Sequence, residues 1–146
     1  MTEATFEPRV SLITLGVADL ARSRAFYEGG LGWKASPASQ GDVVFFQAGA
    51  LAVALYPWRS LAEDADVPVD GQGFRGITLA HNVREPADVE RLLAIAEAAG
   101  GKITKPAQDA FWGGRTGYFA DPDGHLWEVA WNPHFTLTEV GALHLP

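Results

Sequence analysis

Apolar and polar residues follow two different periods in the first third of the chain. The run "VSLITLGV" at 10 to 17 is rich in β-branched residues and predicts a strand. Asp19 stands where a helix N-cap is expected, so a helix is predicted from there to Gly29-Gly30. One face of this helix is formed by Leu20, Leu31, Tyr27 and the aliphatic stem of Arg24.

Three short apolar runs come next, at 34 to 39, 42 to 48 and 51 to 57, and turn residues separate them. This arrangement is typical of a β-meander. The following stretch "WRSLAEDADVPVDGQG", residues 58 to 73, has no sustained period and is predicted to be a connection.

The order of strand and helix then begins again. "GITLAHNV" at 76 to 83 predicts a strand, and 85 to 101 predicts a helix with Pro86 in its first turn and Gly100 at its end. The apolar stripe of this helix is Val89, Leu92, Leu93, Ala96 and Ala99. Short strands are predicted near 102 to 105, 116 to 120 and 125 to 131, the last two joined by an Asp-Pro-Asp-Gly turn.

These two halves form an internal repeat, because Ile77-Thr78-Leu79 repeats Ile13-Thr14-Leu15 with the same order of elements behind it. The sequence therefore predicts an α+β domain of two paired βαβββ modules, whose curved mixed sheet encloses a cup and carries the helices on its outer face. The modules are predicted at about 8–57 and 74–133, with a linker at 58–73 and a tail at 134–146.

Composition narrows the classes of function. A chain of 146 residues with 47% hydrophobic residues can bury a core without disulfides, and it contains no cysteine, which fits a cytoplasmic location. No apolar run is long enough to span a membrane, so no membrane partner is expected. The net charge of -7, without a basic stripe, argues against a nucleic-acid partner.

The stretch "GYFADPDGHLWEVAW" raises the main chemical question, because it places Glu128 inside an apolar strand. A carboxylate in such a strand is destabilising unless it is protonated, hydrogen-bonded or bound to a cation. Strand alternation predicts that Glu128 faces the cup, whereas Trp127, Val129 and Trp131 point outward beneath the helices.

The run "LGVADLARSRAFYEGGLGW", followed by "GYFADPDGHLWEV", resembles the vicinal oxygen chelate superfamily, which includes glyoxalase I, extradiol dioxygenases and bleomycin-binding proteins. The resemblance covers about residues 8 to 133 and implies paired modules around a cup, and a homodimer. It places Glu128 where metal-dependent members have a carboxylate ligand. The other ligand positions fall on Leu12, Gly76 and Ala54, or Val53 if the register slips by one.

None of these residues can bind a cation, and one carboxylate does not hold a divalent metal. The sequence is therefore interpreted as that of a member with neither a metal nor another cofactor. A site built from histidines is the less favoured alternative, because His81, His125, His134 and His144 lack the spacing of metal ligands.

Alternation also predicts the lining of the cup. The residues expected to face it besides Glu128 are Leu12, Thr14, Gly16, Ala52, Ala54, Tyr56, Gly76, Thr78, Ala80, Leu126 and Ala130. Trp58 at the rim, and Trp112 and Arg115 in the loop "DAFWGGRTGY", are candidates for recognising an aromatic or anionic ligand. The structural alternative is that Trp112 covers the core and that Arg115 is solvated or paired with a glutamate.

Three classes of function remain at this stage. The first is a metal-independent protein that binds a small organic molecule, with Glu128 as its polar anchor, held by Thr14 and Thr78 and approached by Arg115. The second is a lyase, isomerase or dioxygenase, resembling lactoylglutathione lyase, in which Glu128 is the general base. The third is a structural domain with a vestigial cup.

Overall fold

The computed structural model of the protein describes residues 6 to 145. Strand β1 (Leu12–Val17) leads into helix α1 (Leu20–Arg24). Asp19 is the N-cap, as predicted, since its side chain accepts a hydrogen bond from the backbone N–H of Arg22. The rest of the first module is a π-helical turn that ends at the predicted glycines, then two strands: the turn is Ala25–Gly30, β2 is Val44–Ala48 and β3 is Leu51–Pro57.

The second module repeats this order. Strand β4 (Leu79–Asn82) precedes helix α3 (Ala87–Ala98). The predicted apolar stripe of α3 is confirmed, because its members are buried in the core or packed against it. The remaining strands are β5 (Lys102–Asp109), β6 (Arg115–Ala120) and β7 (Leu126–Trp131), and the tail contains a small hairpin of β8 (Thr136–Leu137) and β9 (Leu143–His144).

The two main sheets have matching topology. The first has the order β1-β3-β2 and the second the order β4-β7-β6-β5, and in each the first pair is parallel. The strand predicted at 34 to 39 is reduced to a single bridge between Ala35 and Phe46, at the position that β5 has in the second sheet. This repeated topology confirms the α+β class and the paired modules.

The predicted mixed sheet is formed as two separately hydrogen-bonded sheets, one from each module. Strands β1 and β4 are the outermost strands of their sheets, and within residues 6 to 145 neither has a partner on its outer side. Strand β4 also begins later than predicted, at Leu79, because Gly76 has a φ of +82° and lies outside the extended chain.

Alternation along the strands separates a core face from a cup face in each sheet. Leu15, Val53 and Leu55 point from the first sheet into the same core as Trp127 and Val129 of the second. The predicted inward and outward faces of β7 are therefore confirmed. The cup face is defined here as the opposite side of each sheet, which carries Thr14 and Ala54 in the first and Ala80, Glu128 and Ala130 in the second.

The connection between the modules begins with helix α2 (Trp58–Ala65), although the sequence showed no sustained period there. The helix packs on β1 and β3. A Cβ atom at Gly16 would come within 3.0 Å of the Trp58 ring, so the absence of a side chain at this position lets the helix close over one end of the first cup face.

The Asp-Pro-Asp-Gly turn fastens the two modules together. Asp121 is buried, and its Oδ2 accepts a hydrogen bond of 2.6 Å from the Tyr27 hydroxyl of the first module. Asp123 Oδ1 accepts hydrogen bonds from the backbone N–H of Ala18 and from the guanidinium of Arg22. The turn therefore positions β7, and with it Glu128, relative to the first module.

Candidate ligand-binding site

Glu128 lies on the cup face of the second sheet and is half-buried. Its Oε2 accepts hydrogen bonds from Thr116 Oγ1 at 2.8 Å and from the Tyr118 hydroxyl at 3.2 Å. The register of β6 and β7 brings these groups together, because Tyr118 stands directly opposite Glu128 and Thr116 opposite Ala130. Two hydroxyls on the neighbouring strand therefore stabilise one oxygen of this carboxylate.

The Tyr118 hydroxyl is affected in turn by its surroundings. Burial, and then the charge and hydrogen bond of Glu128, raise the pKa of the Tyr118 phenol. The phenol is therefore protonated at neutral pH and donates to the carboxylate. Neither Thr116 nor Tyr118 was predicted from the sequence as a partner of Glu128.

The predicted partners of Glu128 lie elsewhere. Thr14 is in the first sheet, where it pairs with Ala54, and Thr78 is an exposed residue before the start of β4. Arg115 is opposite Trp131 and therefore points to the other face of the sheet from Glu128. The prediction that these three side chains hold Glu128 is wrong.

Arg115 instead forms ion pairs on the helix side of the second sheet. Its guanidinium donates to Glu90 of α3 and, over 2.8 Å, to Asp109 at the end of β5. These two hydrogen bonds raise the pKa of Arg115. The alternative of a glutamate-paired arginine is thus the one observed.

Trp112 folds back onto its own loop. A Cβ atom at Gly114 would be 1.9 Å from the Trp112 ring and 2.5 Å from the Trp131 carbonyl oxygen, so the close approach of the indole requires a glycine. Trp112 is half-buried in this contact.

Trp58 lies on the first cup face, over Gly16. Its indole stacks on the His125 ring with centroids 6.1 Å apart, and the Arg75 guanidinium lies 4.2 Å from the indole centroid. The indole N–H donates to the Val69 carbonyl oxygen. Trp58 therefore joins the first cup face to the turn that precedes β7.

Tyr56 is near the same end of the first sheet, opposite Gly16 in the register. The negative charge of Asp64 on α2 raises the pKa of the Tyr56 phenol. Tyr56 therefore lies near α2 and, unlike Tyr118, forms no hydrogen bond with Glu128.

The positions that the resemblance assigns to metal ligands do not fit a divalent ion. Leu12 and Ala54 lie on the first cup face, and Gly76 precedes β4. None of the three has an oxygen or nitrogen atom in its side chain that could bind a metal. Among residues 6 to 145, no three side chains of histidine, cysteine, aspartate or glutamate come close enough together to hold a metal.

A groove of about 1290 Å³ runs between the modules on the core side of the sheets. The sequence did not predict it, and Glu128 is not part of its wall. Its apolar lining comes from both modules and from the tail hairpin: Ile13, Trp33, Leu51, Leu79, Leu92, Trp127 and Leu143.

No helix within the described residues is long and apolar enough to cross a membrane.

Comparisons with known proteins connect this architecture to a family. The family model described as Glyoxalase/Bleomycin resistance protein/Dioxygenase superfamily matches residues 9–129. A glyoxalase-related enzyme from Fulvimarina pelagi is 37% identical, with a TM-score of 0.86 over 94% of this chain and 98% of that chain. No curated protein matches the chain.

Two more distant structures share the fold. Lactoylglutathione lyase from Agrobacterium tumefaciens is 23% identical, with a TM-score of 0.64 over 86% of this chain and 94% of that chain. A glyoxalase/bleomycin resistance protein/dioxygenase family enzyme from Burkholderia phytofirmans is 16% identical, with a TM-score of 0.75 over 83% and 96%. With its matched residues extending through both modules, the chain belongs to the Glyoxalase/Bleomycin resistance protein/Dioxygenase superfamily.

Proposed function

We propose that this protein binds a small organic molecule on its cup face, without a metal or other cofactor, and that Glu128 is the polar anchor. The hydrogen bonds from Thr116 and Tyr118 support this proposal, because they stabilise and orient the carboxylate through Oε2 without a metal. The rest of the predicted ligand-binding set stays a prediction: Leu12, Thr14, Ala54, Tyr56, Trp58, Gly76, Thr78, Trp112 and Arg115, the last of which points to the face opposite Glu128. The cytoplasm is its proposed location.

An enzyme of lyase, isomerase or dioxygenase type is the second candidate. The 37% identity with a glyoxalase-related enzyme favours it. Metal-assisted chemistry requires donors that Leu12, Ala54 and Gly76 do not supply. The remaining route uses Glu128 as a general base, beside the Tyr118 phenol.

A homodimer is part of the proposal. Strands β1 and β4 each have an unpaired outer edge within the described residues, and such edges are usually covered. Exposed apolar residues lie beside these edges and in the tail: Val10, Leu12, Ile77, Val140, Leu143 and Leu145. A second copy of the chain would cover both kinds of surface.

A single binding experiment tests metal independence and distinguishes the two candidate functions. A library of small organic compounds is screened by tryptophan fluorescence, before and after dialysis of the protein against EDTA. We expect hits with unchanged affinity after dialysis, no equivalent of Zn, Ni, Fe or Mn by elemental analysis, and recovery of each hit unaltered. Loss of binding together with loss of a stoichiometric metal would refute metal independence, and conversion of a hit into product would identify an enzyme.

A further inference from the structure

The two oxygens of Glu128 have different surroundings. Oε2 accepts both hydroxyl hydrogen bonds, whereas Oε1 accepts none from the described residues. Oε1 has no partner but is not a buried atom, and the residue is half-buried. This oxygen is therefore accessible to a ligand on the cup face. The carboxylate is thus oriented by one oxygen and open at the other.

No basic side chain neutralises this carboxylate. Within residues 6 to 145, no lysine, arginine or histidine nitrogen lies within 4.0 Å of Glu128, and Arg115 pairs with acidic residues on the opposite face. Around Glu128 the cup face presents the Tyr118 ring and the short side chains of Ala80 and Ala130. A negative charge on a largely apolar surface lacks a counter-charge, and small neighbours leave room for one.

We propose that Glu128 Oε1 binds the protonated amine of an organic ligand, with the Tyr118 ring beside the cation. This inference depends on the proposed function and specifies the chemical class of its ligand. An ammonium group needs only one charged acceptor, supplemented by an aromatic face, whereas a divalent metal needs several anionic or neutral donors. Such a hydrogen bond is charged on both sides and is stronger than one to a neutral donor.

Thr116 and Tyr118 are positioning residues in this arrangement. Both donate to Oε2, so they fix the rotation of the carboxylate and leave Oε1 free on the cup face. Removal of either hydroxyl leaves the negative charge in place but frees the carboxylate to turn. The preference for amines should therefore weaken in Thr116→Val and Tyr118→Phe, and Thr116→Ser, which keeps a hydroxyl, should retain it.

The test uses sets of three compounds that share one aryl or alkyl frame and end in an amine, an alcohol or a carboxylate. Binding to the purified protein is followed by protein NMR, which detects weak complexes. We expect amines to bind about tenfold more tightly than the matched alcohols, and Glu128→Gln to abolish this preference. Glu97→Gln on α3 removes the same charge from an exposed position and should leave the preference unchanged.

The possible failures are separable. If alcohols or carboxylates bind as well as the matched amines, or if the amine preference survives Glu128→Gln, the amine assignment is wrong while small-molecule binding stands. If the parent protein binds no compound of any set and no hit from the general library, the proposed function fails and the amine site with it. A preference lost equally in Glu97→Gln would be a net-charge effect and would also overturn the assignment.

Discussion

At the scale of single residues, Tyr27 is a buried tyrosine whose hydroxyl has two hydrogen-bond partners. It is fully buried, its hydroxyl donates to Asp121 Oδ2, and it accepts a hydrogen bond of 3.1 Å from Trp127 Nε1. Burial, followed by the charge of Asp121, raises the pKa of the Tyr27 phenol far above its usual value of 10.0. Ionisation of this side chain is therefore incompatible with the folded state.

This pKa shift predicts a loss of stability in alkali. Above pH 10.0 the unfolded chain releases the Tyr27 proton while the folded chain keeps it, so the free energy of unfolding falls as pH rises. One such group contributes a slope of about 1.4 kcal/mol per pH unit. Urea unfolding of the parent and of Tyr27→Phe between neutral pH and pH 11 measures it. The variant should be less stable at neutral pH yet less sensitive to alkali, and parallel profiles would contradict the prediction.

Glu128 illustrates how far single-residue reasoning extends. Alternation around Trp127 and Val129 is sufficient to put its side chain on the cup face, because the period of a strand depends on local sequence alone. Its partners depend on the register between β6 and β7. Counting outward from a tight turn closed by Asp121 and Gly124 would have paired it with Gly117, whereas the structure places Asp121 opposite His125 and so Tyr118 opposite Glu128. Arg115 was predicted in the loop before β6, whereas the strand begins at Arg115 and its alternation turns this side chain away from Glu128.

At the scale of elements, the π-helical turn packs closely against the end of α3. A Cβ atom built on Gly30 would lie 2.2 Å from the Cβ of Ala99, so the two segments approach each other through a missing side chain. A Cβ atom on the adjacent Gly29 would meet nothing within 4 Å. The close packing on Ala99 therefore requires a glycine at position 30 and not at position 29.

The pair Gly30→Ala and Gly29→Ala tests this contact with the same chemical change. We expect Gly30→Ala to reduce the free energy of unfolding by about 1 to 3 kcal/mol, through overpacking against Ala99. Gly29→Ala should be neutral or slightly stabilising, because alanine is favoured over glycine in a helix. Thermal or urea unfolding supplies the values, and Ala99→Gly should restore stability to Gly30→Ala. Equal effects of the two substitutions would show that this packing is not the cause.

Elements with strong local signals were predictable, and those stabilised by tertiary contacts were not. The bounds of β3 follow from an apolar run that begins after turn residues, and the start of α1 follows from the Asp19 cap. Helix α2 contains good helix formers such as Leu61, Ala62 and Glu63 but has only eight residues, and Trp58 packs on Gly16 and against His125. The strand predicted at 34 to 39 contains Pro37, which cannot donate to a ladder, and only the bridge at Ala35 forms.

At the scale of the whole molecule, the two modules share one core, and within residues 6 to 145 their edge strands β1 and β4 have no partner on the outer side. The Asp-Pro-Asp-Gly turn and the Phe26, Tyr27 and Trp127 contacts join the modules on the core side. Because β1 and β4 do not pair with each other, each cup face ends at an exposed edge. The duplication is readable from sequence, but the relative placement of the two copies depends on long-range contacts that local patterns do not encode.

The unpaired edges of β1 and β4 allow the oligomeric state to be tested by replacing isoleucine with lysine, once beside an edge and once away from it. Ile77, just before β4, is 71% exposed, and Ile95 on α3 is 45% exposed, so neither is needed for the core. We expect light scattering to give the mass of two chains for the parent. Ile77→Lys should dissociate the dimer, because a lysine at the edge would be desolvated without a partner, whereas Ile95→Lys should remain dimeric. A parent protein with the mass of one chain would refute the dimer, and a dimer insensitive to Ile77→Lys would place its interface away from the β4 edge.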